Sequence, residues 1–255
     1  MRHPFRLRHA SLGAAFGCFC ALGTAQSCVP PESIKARLEG KPDVSALNDL
    51  GVYFGEQKDY TCAANAFASS LQMDPQQKSF AHVAFMFGAS LYLSGDTKDA
   101  IAALQEAEKF GYNDIKLHLI LAQALDTTHA TADAETEWRA ALEIDPEYPD
   151  ALDNLSSDLI ADGNCAAVIE LLDTPRIAPL RNEQQDMNLA LAYARTGKLN
   201  DSARVLRDSV NTYPDSARLS EQLANVLTEL GSKEEAAAVL QIANDRQAKG
   251  SEADH

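Results

Sequence analysis

Residues 115–148 read IKLHLILAQALDTTHATADAETEWRAALEIDPEY, and this stretch decides the fold because its pattern returns along the chain. A small residue, Ala122, sits in an apolar run between Leu121 and Leu125; Ala134 and Trp138 follow twelve and sixteen residues later, and Asp145-Pro146 closes the stretch. Small residues in the same apolar context give the series Gly51, Gly88, Ala122, Ser156, Ala190 and Ala224, at intervals of 37, 34, 34, 34 and 34 residues. A fixed interval of this size is the mark of stacked repeats.

The rest of the frame travels with the small residue. Seven positions on stand Gly95, Gly163, Gly197 and Gly231, which suit a tight turn between two helices because glycine takes positive φ there without a Cβ penalty. Ala63, Ala100, Ala134 and Ala236 lie twelve positions on, and Phe67, Leu104, Trp138 and Leu240 four beyond those. Asp74-Pro75, Asp145-Pro146 and Tyr213-Pro214 then end the second helix, since proline disfavours the helical conformation of the residue before it. Composition agrees: with 9 Phe, 7 Tyr and 1 Trp in 255 residues, the core must be mostly Leu, Ala, Ile and Val. Leucine and alanine favour helix because they lose little rotamer freedom there. The expected fold class is all-α, in tandem helix-turn-helix repeats.

This frame resembles the tetratricopeptide repeat family, whose pattern runs from a large apolar residue through Leu-Gly and an aromatic to Ala, Phe, Ala and Pro over about 34 positions. Unit one supplies Leu47, Leu50, Gly51, Phe54, Ala63, Phe67 and Pro75; unit three supplies Leu121, Ala122, Leu125, Ala134, Trp138, Ala141 and Pro146. The units fall at 44–77, 81–114, 115–148, 149–182, 183–216 and 217–250, after a leader at 26–43 that holds a short helix and before a disordered tail at 251–255. Ser70 and Ser202 stand where the family has Ala, and Pro175 shortens the second helix of unit four, the degenerate one. The resemblance implies a right-handed α-solenoid whose first helices line a concave groove, with function on that groove and not in the core.

By repeat position the resemblance places His82, Phe85, Tyr92, Leu119, Asp126, Asp150 and Asp153 on that wall. Exposed aromatic residues there would anchor a protein or peptide, and the acids would favour basic residues flanking its apolar anchor. The alternative is that Phe85 and Tyr92 pack against neighbouring units. The Lys, Arg and Asn clamp by which chaperone-binding members hold a terminal carboxylate is not matched by Asn48, Val52, Ala89, Lys116 or Gln123.

The first 25 residues have a different character. Arg2, Arg6 and Arg8 precede an apolar run from Ala10 to Leu22, and Gly23-Thr24-Ala25 follow: the order of a secretory signal peptide, with a run too short to span a bilayer. The expectation is export to the periplasm or beyond, with no integral membrane segment after signal removal. Cleavage after Ala25 would leave 19 basic and 37 acidic residues, a net charge of −18. Such a surface repels phosphate backbones, so nucleic acid is not an expected partner.

No nucleophile elbow, phosphate loop, paired-cysteine metal motif or HExxH is present, so neither catalytic residues nor a cofactor are assigned. His82 and His118 lie on neighbouring first helices but do not by themselves make a metal site, and none is assigned. Cys28, Cys62 and Cys165 remain after the signal. One bridge, if it forms, would join Cys28 to Cys62, because Cys62 and Cys165 are three units apart and beyond disulfide reach; the alternative is three reduced, packed thiols. The expected function is an exported protein-binding scaffold. The alternatives are an architectural subunit that assembles with its own copies and a non-catalytic regulatory domain of an enzyme.

Overall fold

The computed structural model describes residues 28–39 and 43–253. Among them are thirteen α-helices, one 3-10 turn and no strand. A leader helix α1 (Glu32–Glu39) precedes six helix pairs: α2 (Val44–Glu56) with α3 (Tyr60–Met73), α4 (Phe80–Ser94) with α5 (Thr97–Lys109), α6 (Ile115–Thr127) with α7 (Thr131–Ile144), α8 (Pro149–Ala161) with α9 (Cys165–Leu172), α10 (Glu183–Arg195) with α11 (Leu199–Thr212), and α12 (Ala217–Glu229) with α13 (Lys233–Ala253). The pairs stack as a right-handed α-solenoid. First helices of neighbouring units approach one another at three junctions, α4 with α6, α8 with α10 and α10 with α12. The signal-peptide reading of residues 1–25 falls outside the described residues, as do residues 254 and 255. Helix α13 continues to Ala253, beyond the repeat boundary drawn at 250.

Local chemistry sets the helix ends. Asp43 accepts from the Ala46 amide at 2.6 Å, Asp114 from Lys116 at 2.9 Å and Ser216 from Leu219 at 3.3 Å, each relieving an orphan donor of a first turn. Asn182 and Gln185 close a reciprocal capping box on α10. The seventh position after the small residue is left-handed in all six units: Lys58 (φ 59°), Gly95 (92°), His129 (60°), Gly163 (76°), Gly197 (76°) and Gly231 (84°). Units one and three therefore make the glycine turn without glycine.

Within each unit the small residue lets the second helix come close. A Cβ on Gly51 would lie 2.5 Å from the Phe67 ring, and one on Gly88 would lie 2.7 Å from Leu104 Cγ and 3.1 Å from the Leu104 amide nitrogen. Phe67, Leu104, Trp138, Leu172 and Leu206 occupy the same frame position in units one to five, and all are deeply buried. The serine departures have a physical reason. Ser202 Oγ donates to the Ala190 carbonyl at 2.8 Å across the pair, and Ser70 Oγ donates to Asn48 Oδ1 while receiving Gln77 Nε2.

Unit four stays in the stack despite its shortened helix. Helix α9 has eight residues, after which Ile177 turns inward and a 3-10 turn (Ala178–Leu180) leads on to Arg181. Arg181 donates from Nη1 to the Leu172 carbonyl at 3.1 Å and from Nε to Asp186 at 2.6 Å, satisfying the carbonyl end that proline leaves open. Cys28 and Cys62 are bonded, with Cα atoms 5.5 Å apart, tying the leader to α3; Cys165 is a buried thiol. No helix among the described residues is long and apolar enough to cross a membrane.

Candidate protein-binding groove

The structure divides the seven wall residues chosen from the sequence. Phe85 is 6% exposed and stacks on Tyr112 at 4.6 Å, and Leu119 is 8% exposed. Both belong to the core, and the turn between α5 and α6 brings the Tyr112 ring onto Phe85. Tyr92 is half-buried against the cluster that joins units one and two. Of the aromatic group only His82 is exposed, its ring 5.5 Å from Tyr112.

Two of the three acids have internal partners, which corrects their placement as free groove charges. Asp126 Oδ2 accepts from Trp138 Nε1 at 3.1 Å; the indole is wholly buried and its N–H needs an acceptor. Asp153 accepts from Asn182 Nδ2 at 2.9 Å and from Gln185 Nε2 at 2.6 Å. Asn188 Nδ2 adds a bond to Ser156 Oγ at 2.8 Å. These amides join α8 to α10 and make the unit four to five junction polar. Asp150, in the first turn of α8, is exposed.

Burial also shifts the acids of this wall. Asp158 on α8 has its carboxyl pushed up to about 6, first by burial and then by the charges of Asp126, Glu135 and Asp162. Its Oδ2 is buried without a hydrogen-bond partner. Asp126 is also raised by burial, against the stabilising bond from Trp138.

The open part of the wall lies further along. Met187, Leu191 and Ala194 of α10, with Arg218, Gln222 and Val226 of α12, line a cavity of about 270 Å³ between the first helices of units five and six. Leu191 is 37% exposed at its mouth, and Arg218 bonds Gln184 Oε1 at 3.0 Å. The repeat frame carried the signal for this site: Met187 and Leu191 take the same register in unit five as Phe85 and Ala89 in unit two. Phe110 was also missed. It is 53% exposed, its ring 4.6 Å from Phe80 and under the Lys109 ammonium, at the turn outside the first helices. An apolar floor with a few polar groups at its rim is what holds one anchoring side chain of a peptide.

The tetratricopeptide repeat model matches residues 187–251, the segment that holds the cavity. "Cellulose synthase 1 operon protein C" of Komagataeibacter xylinus is 27% identical over 254 residues, spanning 90% of this chain. The chain covers 19% of that protein's length. A tetratricopeptide repeat protein of Parabacteroides merdae superposes with a TM-score of 0.60 at 16% identity, over 78% of this chain and 77% of its own. MamA of Desulfovibrio magneticus RS-1 gives 0.57 at 16% identity, over 66% and 96%. At these identities the structures speak for the fold alone. Residues 187–251 match the tetratricopeptide repeat, and the described residues share the helix-pair solenoid fold of these repeat proteins.

Proposed function

We propose that the chain is an exported, non-catalytic scaffold that receives an extended peptide or a helix of a partner protein along its first-helix wall. The observation that carries this reading is the cavity between α10 and α12, where Leu191 and Met187 offer apolar surface beside Arg218 and Gln222. A partner would seat one apolar side chain there. Over the rest of the wall the exposed Asp150 and the chain's net charge of −15 favour basic residues flanking that anchor. Export is supported by the order of charge, apolar run and small residues at the N-terminus, and by the Cys28–Cys62 bond, which suits an oxidising compartment.

A photo-crosslinking residue at position 191, compared with one at the exposed Arg139 on α7, tests the site in cells that make the protein. The reading requires one defined adduct from position 191 and none of that identity from 139. Equal labelling at both positions would contradict it. A second reading, assembly of copies through the solenoid end, draws on Leu240 and Ile242, which are exposed on α13. It demands a concentration-dependent oligomer in sedimentation that Ile242→Glu dissolves.

A further inference from the structure

The junction of units two and three carries a group of side chains that groove binding does not use. His118 on α6 is 4% exposed, and both ring nitrogens are engaged: Nδ1 lies 2.7 Å from Glu137 Oε2 of α7, and Nε2 lies 2.8 Å from Asn113 Oδ1. Glu108, near the end of α5, brings a second carboxylate. One ligand atom from each of Glu108, His118 and Glu137 falls within 4.8 Å of the others, the one such group of His, Cys, Asp and Glu found among the described residues.

We propose that Glu108, His118 and Glu137 form a binding site for a divalent transition ion of the zinc class, which clamps unit two to unit three. The donor set is one imidazole nitrogen and two carboxylate oxygens, leaving a position for water on the exposed Glu108 side. Asn113 supports it from behind. An Nε2–H that donates to the amide oxygen leaves the Nδ1 lone pair aimed at the carboxylates, the outer partner that ligating histidines usually have.

Burial and then Glu137 push the Glu108 carboxyl up, and the bond to Glu137 raises His118 despite its desolvation. A divalent cation would neutralise the charge that the two carboxylates bring together. Metal–ligand distances of about 2.0–2.2 Å set ligand atoms roughly 3.3 Å apart, so the His118–Glu137 bond opens by about half an ångström as the ion enters. Because ligands must be unprotonated to hold the ion, affinity rises with pH. Magnesium and calcium, which want six or more oxygens, are poorly served by this set.

The test uses the full chain, stripped with chelator and titrated with zinc chloride in calorimetry and thermal melts. One ion should bind per chain and raise the melting temperature by several degrees, reversibly with chelator, and magnesium should do neither. Cobalt should give the visible absorption of a low-coordinate site. Glu108→Gln keeps the His118 bonds to Glu137 and Asn113, so it should fold normally and lose about tenfold or more in zinc affinity. Wild-type protein without zinc binding overturns the proposal. So does a Glu108→Gln protein that binds as well as wild type, since the ion would then sit on the acidic surface.

Discussion

The Cβ that alanine would place at Gly51 falls 2.5 Å from the ring of Phe67, so the first helix pair is as close as a missing methyl group allows. A rigid buried ring has no way to retreat from the clash. Gly51→Ala should therefore destabilise by about 1–3 kcal/mol, the usual range for overpacking. Gly55, four residues on in the same helix, has nothing within 4 Å of an added Cβ. Gly55→Ala should instead stabilise by about 0.5–1 kcal/mol through helix propensity. Chemical denaturation of the two variants checks the pair; a Gly51→Ala protein as stable as wild type would show that the helices are not held at this distance.

Lys58 and His129 turn the chain with positive φ where four other units use glycine. A left-handed L-residue costs about 1–2 kcal/mol, offset in part by the entropy glycine loses on folding. Lys58→Gly and His129→Gly should each raise stability, by about 0.5–1 kcal/mol, whereas Gly163→Ala should lower it. Melting temperatures of the three variants, each read against wild type, decide the matter.

Asp158 fixes a pH dependence. Its carboxyl moves from 3.8 to about 6 in the folded chain, chiefly through burial. Folding thus favours the protonated form, so the contribution of this group is most favourable below 3.8, declines as pH rises, and is least favourable above about 6. Asp158→Asn removes the buried charge. Its melting temperature should exceed wild type at about pH 8, with the gap closing toward about pH 4. A gap independent of pH would mean that the charge is not the cause.

The Cys28–Cys62 bond spans 34 residues and ties the leader to the first repeat. Removing it with Cys28→Ser spares the buried Cys62 position. By loop-closure entropy the loss should be about 3–4 kcal/mol for the N-terminal units, seen as faster amide exchange in α2 and α3 and little change in α12. Uniform acceleration along the chain would show that the solenoid unfolds as one block.

Much of this fold was legible because in units one to five the small residue is followed sixteen positions on by a large buried one, a constraint that survives Ser156 in the small position of unit four. The turns at Lys58 and His129 carry no glycine, and only the backbone shows that they are left-handed as in the other units. The site was less legible. Register puts Phe85 and Leu119 on the wall, but register does not say that Tyr112, from the turn after α5, stacks on Phe85 or that Leu119 is buried. Nor does spacing reveal that Asp126 serves the Trp138 indole, or that Asp153 serves the amides of unit five; those pairings link residues brought together by stacking. His118 and His82 lie on adjacent first helices, but the partners of His118 are Glu137 of a second helix and Asn113 of the preceding turn.

On the proposed reading a partner protein docks on the first-helix wall at units five and six. Leu191→Glu tests it most directly, because Leu191 is exposed at the cavity mouth and a carboxylate there leaves the core intact. The partner identified by crosslinking at position 191 is titrated against wild-type and variant chains, with melting temperatures recorded in parallel. A loss of about tenfold or more in affinity with an unchanged melting temperature is the predicted result, the size expected for an anchor worth 1.4 kcal/mol or more. Equal affinity for both chains would contradict the claim and move the binding surface elsewhere on the solenoid.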